Sequence, residues 1–480
     1  MVQGLTTITG AGAAGSASAY NLRKYANSSG VHLDITVFER NPYVGGRSTT
    51  VNVFGNPEYP IEVGGSIFVA VNYNLVNATR TLGLNTTADD DDDNEEDYVG
   101  VWNGSEFVVT LDDSLGWWSI AKLFWRYGLA PIRARLLVKK AVGQFLQMYE
   151  PPIFPFKSLS DAADTLGLQS ATSLPGSVFL ESNRVSSGFA REIVQASTRV
   201  NYGQNLELIH GLGTMICLST GNAMSIKGGN WRIFDGLLKV ADAHVRLNQT
   251  VTSIERNPDG SLALSLTEGR GESSSAFDEV IITGPLQYSS IHLPNDVSLK
   301  EEVLPTPFVT LYVTLFASPH KLSPRFFGLA DTEPVPETVL TTLPENLDLG
   351  PTRDGVGPTG FWSISRLRII KPSEQEQYVY KIFSPRRPTA EFVGRILGLE
   401  TTARDTKSTI GNLSEKDVSW FHEKTWHPYP FLYPRSTFDD ISLAPRIWYT
   451  GGIEAFISTM ETSALMGKNV AALIAKTWEA

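Results

Sequence analysis

The chain has 480 residues, 42% of them hydrophobic and 19% charged, and a formal net charge of −11. That length supplies a large core and predicts two domains, while the acidic balance excludes nucleic acid as a partner because no basic excess neutralises phosphates. No apolar run of about 18 residues predicts a membrane-spanning helix, and the single cysteine, Cys217, excludes an internal disulfide.

In chain order, Leu5 to Thr9 read as a short strand, and Gly10, Gly12 and Gly15 follow at G-x-G-x-x-G spacing before an Ala/Ser-rich helix through Lys24. Strand, glycine turn and helix in that order are the context the motif requires. Gly10 makes the tight turn, Gly12 lets backbone approach a pyrophosphate, and Gly15 lets helix press on strand. The first helical amides, those of Ala13 and Ala14 among them, then face the phosphates. The next strand, "HLDITVFERN" at 32–41, ends in Glu39 followed by Arg40. An acid about 20 residues past the last motif glycine accepts hydrogen bonds from adenosine ribose hydroxyls, and it disfavours a 2′-phosphate. A dinucleotide site is the expectation, FAD or NAD.

Gly45-Gly46-Arg47 come just past the acid, and "IEVGGSIF" at 61–68 places Gly64, Gly65 and Ser66 in a second glycine segment. The acidic run 89–97, "DDDDDNEED", reads as a solvated loop. Residues 117–149 carry Lys122, Arg126, Arg133, Arg135, Lys139 and Lys140 with no acid among them, alongside Trp117, Trp118, Leu123, Phe124, Trp125 and Leu129. Pro131 divides this stretch into two helices, read either as a core-packing hairpin with a solvated basic face or as a membrane-surface element. Residues 228–257 read as helix then strand, 277–286 as a returning strand, and 304–319 and 377–385 as strands of a second sheet. At the end of the chain, Ile447 to Thr450 read as a buried strand, Gly451-Gly452 as a turn, and 458–478 as a helix. Neither metal-ligand spacing nor a nucleophile triad is readable among the seven histidines and one cysteine. His210, beside Gly211 and Gly213, reads as a satisfied loop histidine.

The glycine doublets resemble those of the amine-oxidase-like flavoproteins, and on that resemblance the dinucleotide is FAD. Closer still, "RVNYGQN" at 199–205, "KGGNWRIF" at 227–234, "FFGL" at 326–329, "YVYKIFSP" at 378–385, "TWHPYPFLYP" at 425–434 and "GGIEAFISTMETSAL" at 451–465 resemble the prenylcysteine oxidases, or prenylcysteine lyases, nearly end to end. The acidic run and the His427–Pro428 stretch depart from the family pattern. The resemblance implies an FAD-dependent thioether oxidase that turns a small lipophilic substrate, an S-prenylated cysteine, and O2 into cysteine, a prenyl aldehyde and hydrogen peroxide. It implies cofactor contacts at Gly10, Gly12, Ala13, Ala14, Gly15, Glu39, Arg40, Gly45, Gly46, Arg47, Gly64, Gly65, Ser66, Val251, Gly452, Glu454, Thr459 and Met460. Val251 marks the strand that lies along the adenine in that class.

Lys381 is a candidate to hold a water at flavin N5, against an outward-facing strand lysine. Tyr429, Tyr433 and Tyr202 are candidates to line the substrate cavity, against plain core aromatics. An oxidase of another lipophilic substrate, such as an amine or terpenoid, and a non-catalytic lipid-binding protein are the alternatives. The expected fold is α/β: a Rossmann-type FAD domain from 1–75, 227–292 and 440–480, interleaved with a mixed α+β substrate domain from 76–226 and 293–439. Six N-x-S/T sequons, at Asn27, Asn77, Asn85, Asn103, Asn248 and Asn412, suit a secreted or lysosomal/vacuolar protein whose leader is not part of this chain.

Overall fold

The short threonine-rich strand that opens the chain becomes part of the centre of a six-stranded sheet. In the computed structural model, which describes residues 3–87, 98–112, 124–219, 221, 223–267, 276–295, 297, 305–348, 353–372, 374–399 and 408–478, Gln3–Thr9 (β1) leads through the glycine turn into Ala13–Ser29 (α1) and His32–Glu39 (β2). Across the sheet the order is Ser442–Ala444, Ile447–Tyr449, Glu279–Ile282, β1, β2 and His244–Leu247, all parallel except the antiparallel first strand. The inner strands bury side chains on both faces, Thr6 and Thr7 of β1 among them, because both faces are covered. Ile8, Ile35, Val37 and Ile281 pack with Leu22 of α1 on one side. Phe38, Val280 and Ile282 meet Val251, Ile254, Leu264 and Phe277 of a three-stranded antiparallel sheet on the other.

The small residues of α1 have a packing reason. The last helix, Met460–Thr477, lies against it so closely that a Cβ at Gly467 would come within 2.2 Å of the Ala14 carbonyl oxygen. Ser18 Oγ donates to the Ala14 carbonyl at 2.9 Å and to that of Gly467 at 3.3 Å. Ala, Ser and Gly make this backbone-to-backbone approach possible.

The second layer is a seven-stranded sheet in the order Trp420–Trp426, Leu311–Ser318, Gln377–Ser384, Ser363–Ile370, Thr338–Thr341, Tyr98–Trp102 and Phe107–Asp112, antiparallel but for the parallel Thr338–Thr341 and Tyr98–Trp102 pair. The two runs expected as sheet strands are neighbours in it. Strand alternation sorts their side chains. Phe316, Tyr380 and Ile382 join an aromatic core with Phe327 and Phe361, while Val313, Leu315 and Val379 face Val53, Ile61 and Val63. Lys381 shares the parity of Val379, so it points toward the 53–66 segment.

Helices complete this half. Gly128, with φ 59°, ends a helical turn by donating to the Phe124 carbonyl, and Ala130–Leu146 begins with Pro131 in its first turn. The expected division near Pro131 is present; the acidic run 89–97 and residues 117–123 lie outside the described residues.

Candidate active site

The glycine turn is fixed from several sides. Gly10, at φ 111°, donates its N–H to the Phe38 carbonyl at 2.7 Å, tying the turn to the end of β2. Gly12 begins α1 with no side chain capping the helix. The first amides of a helix have no intrahelical acceptor, so this end offers N–H groups and the positive end of the dipole. Gly46, at φ 60°, approaches so closely that a Cβ on it would lie 3.3 Å from the Gly12 Cα, and Gly45 N–H donates to the Ala11 carbonyl at 2.9 Å. The two glycine segments, far apart in the motif reading, form one cradle.

Glu39 is buried at the end of β2. Its Oε2 accepts from Ala11 N–H at 2.8 Å, and its Oε1 from Asn41 N–H at 2.8 Å and Asn41 Nδ2 at 2.6 Å. Each carboxylate oxygen has further lone-pair capacity for a hydroxyl donor. Gln249 N–H donates to the Glu39 carbonyl at 2.9 Å, which brings the loop before Val251 beside the acid. The Val251 side chain itself is buried in the core with Phe38. Arg40 Nη1 donates to the Tyr288 carbonyl at 3.1 Å.

Among the described residues eight buried side-chain polar atoms lack a protein partner, and four of them belong to these segments or adjoin them: Gln249 Oε1 beyond Glu39, Ser48 Oγ in the Gly45 turn, Glu62 Oε2 before Gly64, and Trp426 Nε1. The Trp426 ring lies 3.7 Å from where a Gly64 Cβ would stand. Buried polar atoms are ordinarily paired, so this series fits a long ligand with polar groups along its length. With the uncapped helix end and the buried acid, the residues fit a dinucleotide.

Arg47 does not stand free for a phosphate. It forms a bidentate pair with Glu454, at 2.6 and 2.8 Å, and Nη1 also donates to the Pro428 carbonyl. Burial works against the Arg47 charge, but Glu454 outweighs it and raises the guanidinium pKa. The pair joins the Gly45-Gly46 turn to "GGIEA" and to the His427–Pro428 stretch. Thr459 is the N-cap of the last helix, accepting from Thr462 N–H at 3.1 Å, and Met460 Sδ would meet a Cβ on Gly65 at 3.0 Å. Gly452 is tight against Asp439, at 3.1 Å from its carbonyl oxygen to a built Cβ.

Lys381 is buried rather than outward-facing. Its Nζ donates to the Glu62 carbonyl and to Ser66 Oγ, both at 2.9 Å, and Ser66 Oγ donates to the Gly64 carbonyl at 2.8 Å. Burial lowers the Lys381 pKa to about 8, with Glu62 pulling the other way. Glu62 is pushed up to about 7 by burial, against the opposing pull of the Asn230 N–H bond and Lys381. Tyr202 and Tyr429 meet edge-to-face with centroids 5.1 Å apart, and the Tyr202 hydroxyl donates to the Ser458 carbonyl at 3.1 Å. Tyr433 stacks on Phe431 with centroids 5.6 Å apart.

Residues the sequence reading passed over hold these groups in place. Asn230 donates its N–H to Glu62 Oε1 at 2.6 Å and its Nδ2 to the carbonyls of Gly65 and Ser66, both at 3.0 Å. Gln204 brackets the Tyr429 loop, donating to the Pro430 carbonyl at 3.1 Å and accepting from Leu432 N–H at 2.9 Å. Glu461 accepts from Tyr149 OH, Asn74 and Leu75, so a buried carboxylate seats the start of helix Tyr73–Thr81. Asn230 and Gln204 both lie in quoted motifs, which was the available signal.

His210 is satisfied, as expected. Its Nδ1 accepts from Gly213 N–H at 2.9 Å, and Nε2 faces the Ala455 carbonyl at 3.3 Å, the tautomer with hydrogen on Nε2. Burial lowers its pKa to about 4. Its folded pKa lies below the unfolded 6.5, so its contribution is present above pH 6.5 and is lost as pH falls toward 4. Glu62 has the opposite sign: its folded pKa exceeds 4.5, so the fold gains as pH falls from 7 to 4.5. Each change is on the order of 1.4 kcal/mol per pH unit at most. We therefore expect Glu62→Gln to lose thermal stability relative to the parent progressively from pH 7 to 4.5, and His210→Asn to gain it relative to the parent from pH 6.5 to 4. Melting curves whose differences stay constant with pH would overturn both assignments.

Comparison with known proteins decides the family. The prenylcysteine lyase family profile matches residues 110–480, and that of the NAD(P)-binding Rossmann-like domain matches 8–80. The chain belongs to the prenylcysteine lyase family. It is 29% identical to farnesylcysteine lyase of Arabidopsis thaliana, covering 97% of this chain and 87% of that one. It is 27% identical to prenylcysteine oxidase 1 of Homo sapiens, covering 98% and 88%. Among solved structures, a double mutant of putrescine oxidase superposes with a TM-score of 0.59 at 14% identity, covering 98% of this chain and 99% of that one. A fatty acid isomerase from P. acnes gives 0.57 at 14% identity, covering 98% of both. At that identity the structural likeness speaks to fold alone, and the fold is the interleaved α/β architecture expected.

Proposed function

We propose that this protein is an FAD-dependent prenylcysteine oxidase, converting S-prenylated cysteine and water to free cysteine and a prenyl aldehyde, with O2 as the final acceptor and hydrogen peroxide as its product. The observation that carries this reading is family membership across 110–480 joined to a dinucleotide cradle at the start of the chain. The relatives' names favour a prenylated thioether over the amine or terpenoid alternative. The interleaved segments 1–75, 227–292 and 440–480 form the cofactor domain, and the remainder forms the substrate domain.

When bound, FAD supplies a two-electron acceptor for the allylic hydrogen that alkene and sulfur together activate. The amides of Ala13 and Ala14, with Gly10, Gly12 and Gly15, hold the pyrophosphate, and Glu39 takes the ribose hydroxyls. Arg40 and the loop before Val251 flank the adenosine end, and Gly45, Gly46, Gly64 and Gly65 give close backbone passage. Gly452 shapes the opposite wall, while Arg47 with Glu454, Thr459 and Met460 fix it in place. Lys381, held by two oxygens and with a pKa of about 8, keeps a third N–H for a water or for substrate. Tyr202 and Tyr429 present an aromatic wall that keeps water from the apolar chain. These groups orient the substrate; no nucleophile is required.

Anaerobic mixing with S-farnesylcysteine is expected to bleach the flavin and yield one equivalent of aldehyde, and admission of O2 to restore colour and release hydrogen peroxide. An unchanged spectrum would overturn the substrate assignment. Glu39→Ala is expected to weaken FAD retention by about 1–3 kcal/mol through lost hydrogen bonds, read as cofactor content after dialysis. A secreted or lysosomal/vacuolar location is part of the same reading. The exposed Asn27, Asn77, Asn85, Asn248 and Asn412 sequons support it, and glycosidase treatment of protein from a secretory host tests it.

A further inference from the structure

We propose that the outer face of residues 124–140 docks this protein on an anionic lipid surface. The element has two apolar faces. Tyr127, Ala130, Ala134, Ala141 and Phe145 point into the core. On the outside, Trp125 is 93% exposed, Leu136 62%, Phe124 53%, Ile132 51% and Leu129 50%. Leu129, Ile132 and Leu136 follow at i, i+3 and i+7, the spacing of one helical side. Among the described residues, five of the fifteen exposed large hydrophobic side chains fall between Phe124 and Leu136. Single exposed apolar residues need no explanation, but a contiguous patch marks an interaction site.

Charge selects the occupant. Arg135, Lys139 and Lys140 are exposed and lie one helical turn from Ile132 and Leu136. Two nearby arginines are committed elsewhere: Arg126 pairs with Glu192 at 2.9 Å, and Arg133 donates to the Arg184 carbonyl at 2.7 Å. No acid occurs from 124 to 149, although the whole chain carries −11. A second copy pairing through the same patch would bring like cations together. A bilayer surface accepts both halves of the pattern, with the apolar side chains at the acyl boundary and the cations at anionic headgroups. The acidic remainder is repelled, which fixes one orientation.

The test is co-sedimentation of the full-length protein with phosphatidylcholine vesicles, with and without phosphatidylserine, in the absence of substrate, so its outcome is separate from that of the oxidase assay. The parent is expected to bind the mixed vesicles far better than pure phosphatidylcholine. Lys139→Gln with Lys140→Gln is expected to weaken that binding about thirtyfold, from about 1 kcal/mol per cation. Trp125→Glu with Leu136→Glu is expected to abolish it at an unchanged melting temperature, which excludes misfolding. Equal binding to pure phosphatidylcholine, binding indifferent to all four substitutions, or no vesicle binding would overturn the proposal. So would a dimer in light scattering that the glutamate variant converts to monomer.

Discussion

Gly15→Ala is expected to purify without bound flavin and to melt well below the parent. A Cβ at Gly15 would stand 1.9 Å from the Gly10 carbonyl oxygen and 3.2 Å from Ile8 Cγ2. The clash is with backbone that cannot retreat. Gly10 N–H is held by the Phe38 carbonyl at 2.7 Å, and Thr283 Oγ1 donates to the Thr9 carbonyl at 2.5 Å on the opposite side. Relief therefore lifts the start of α1 off the turn, moving the very amides that face the pyrophosphate. Overpacking of this kind costs about 1–3 kcal/mol or more, and the cofactor loses its seat as well. Gly143→Ala is the control: nothing lies within 4 Å of its Cβ, in a helix interior, so a gain of about 1 kcal/mol is expected with flavin unchanged. Flavin at parental stoichiometry in Gly15→Ala would sink this account of the cradle.

Arg199→Met is expected to lose about 3–5 kcal/mol, seen as a large fall in denaturation midpoint. The side chain is fully buried on helix Gln195–Tyr202. Its guanidinium donates to Thr341 Oγ1 at 3.0 Å, Asn205 Oδ1 at 2.9 Å, the carbonyls of Gly355 and Val356 at 3.2 and 2.7 Å, and Thr359 Oγ1 at 3.2 Å. All five acceptors are neutral, so burial alone governs the group and lowers its pKa to about 9. The ring of Trp362 lies 4.7 Å from its centre. Methionine fills much of the volume but leaves these acceptors unpaired in the interior, which is the costly half of the exchange. Arg199→Lys is expected to recover little, since an ammonium cannot span acceptors on three separate segments. A midpoint within about 1 kcal/mol of the parent would show that the acceptors find other donors.

The contrast between these two positions explains what the sequence reveals. Gly15 is legible because its constraint is local: a strand, a tight turn and a helix within one motif leave no room for a side chain. Glu39 follows for the same reason, at a fixed distance along one βαβ unit. Strands such as Leu311–Ser318 and Gln377–Ser384 announce themselves by apolar runs. Arg199 opens the run "RVNYGQN", but its role is not legible there, since its acceptors come from residues 205, 341, 355, 356 and 359. Arg47 on Glu454, Asn230 on Glu62 and Glu461 on Asn74 are likewise pairings across long stretches of chain, set by topology alone. The direction of Lys381 needed the strand's neighbours, because alternation says which residues share a face but not what that face meets.

The seam between α1 and Met460–Thr477 has a consequence for biosynthesis. The amino-terminal turn emerges from the ribosome long before the helix that braces it and the strand Ile447–Tyr449 beside Glu279–Ile282. A nascent chain therefore carries a half-built cradle whose small-residue flank stays wet until translation has passed residue 477. Because binding to the assembled cradle stabilises it, the coenzyme favours chains in which α1 and Met460–Thr477 have already met.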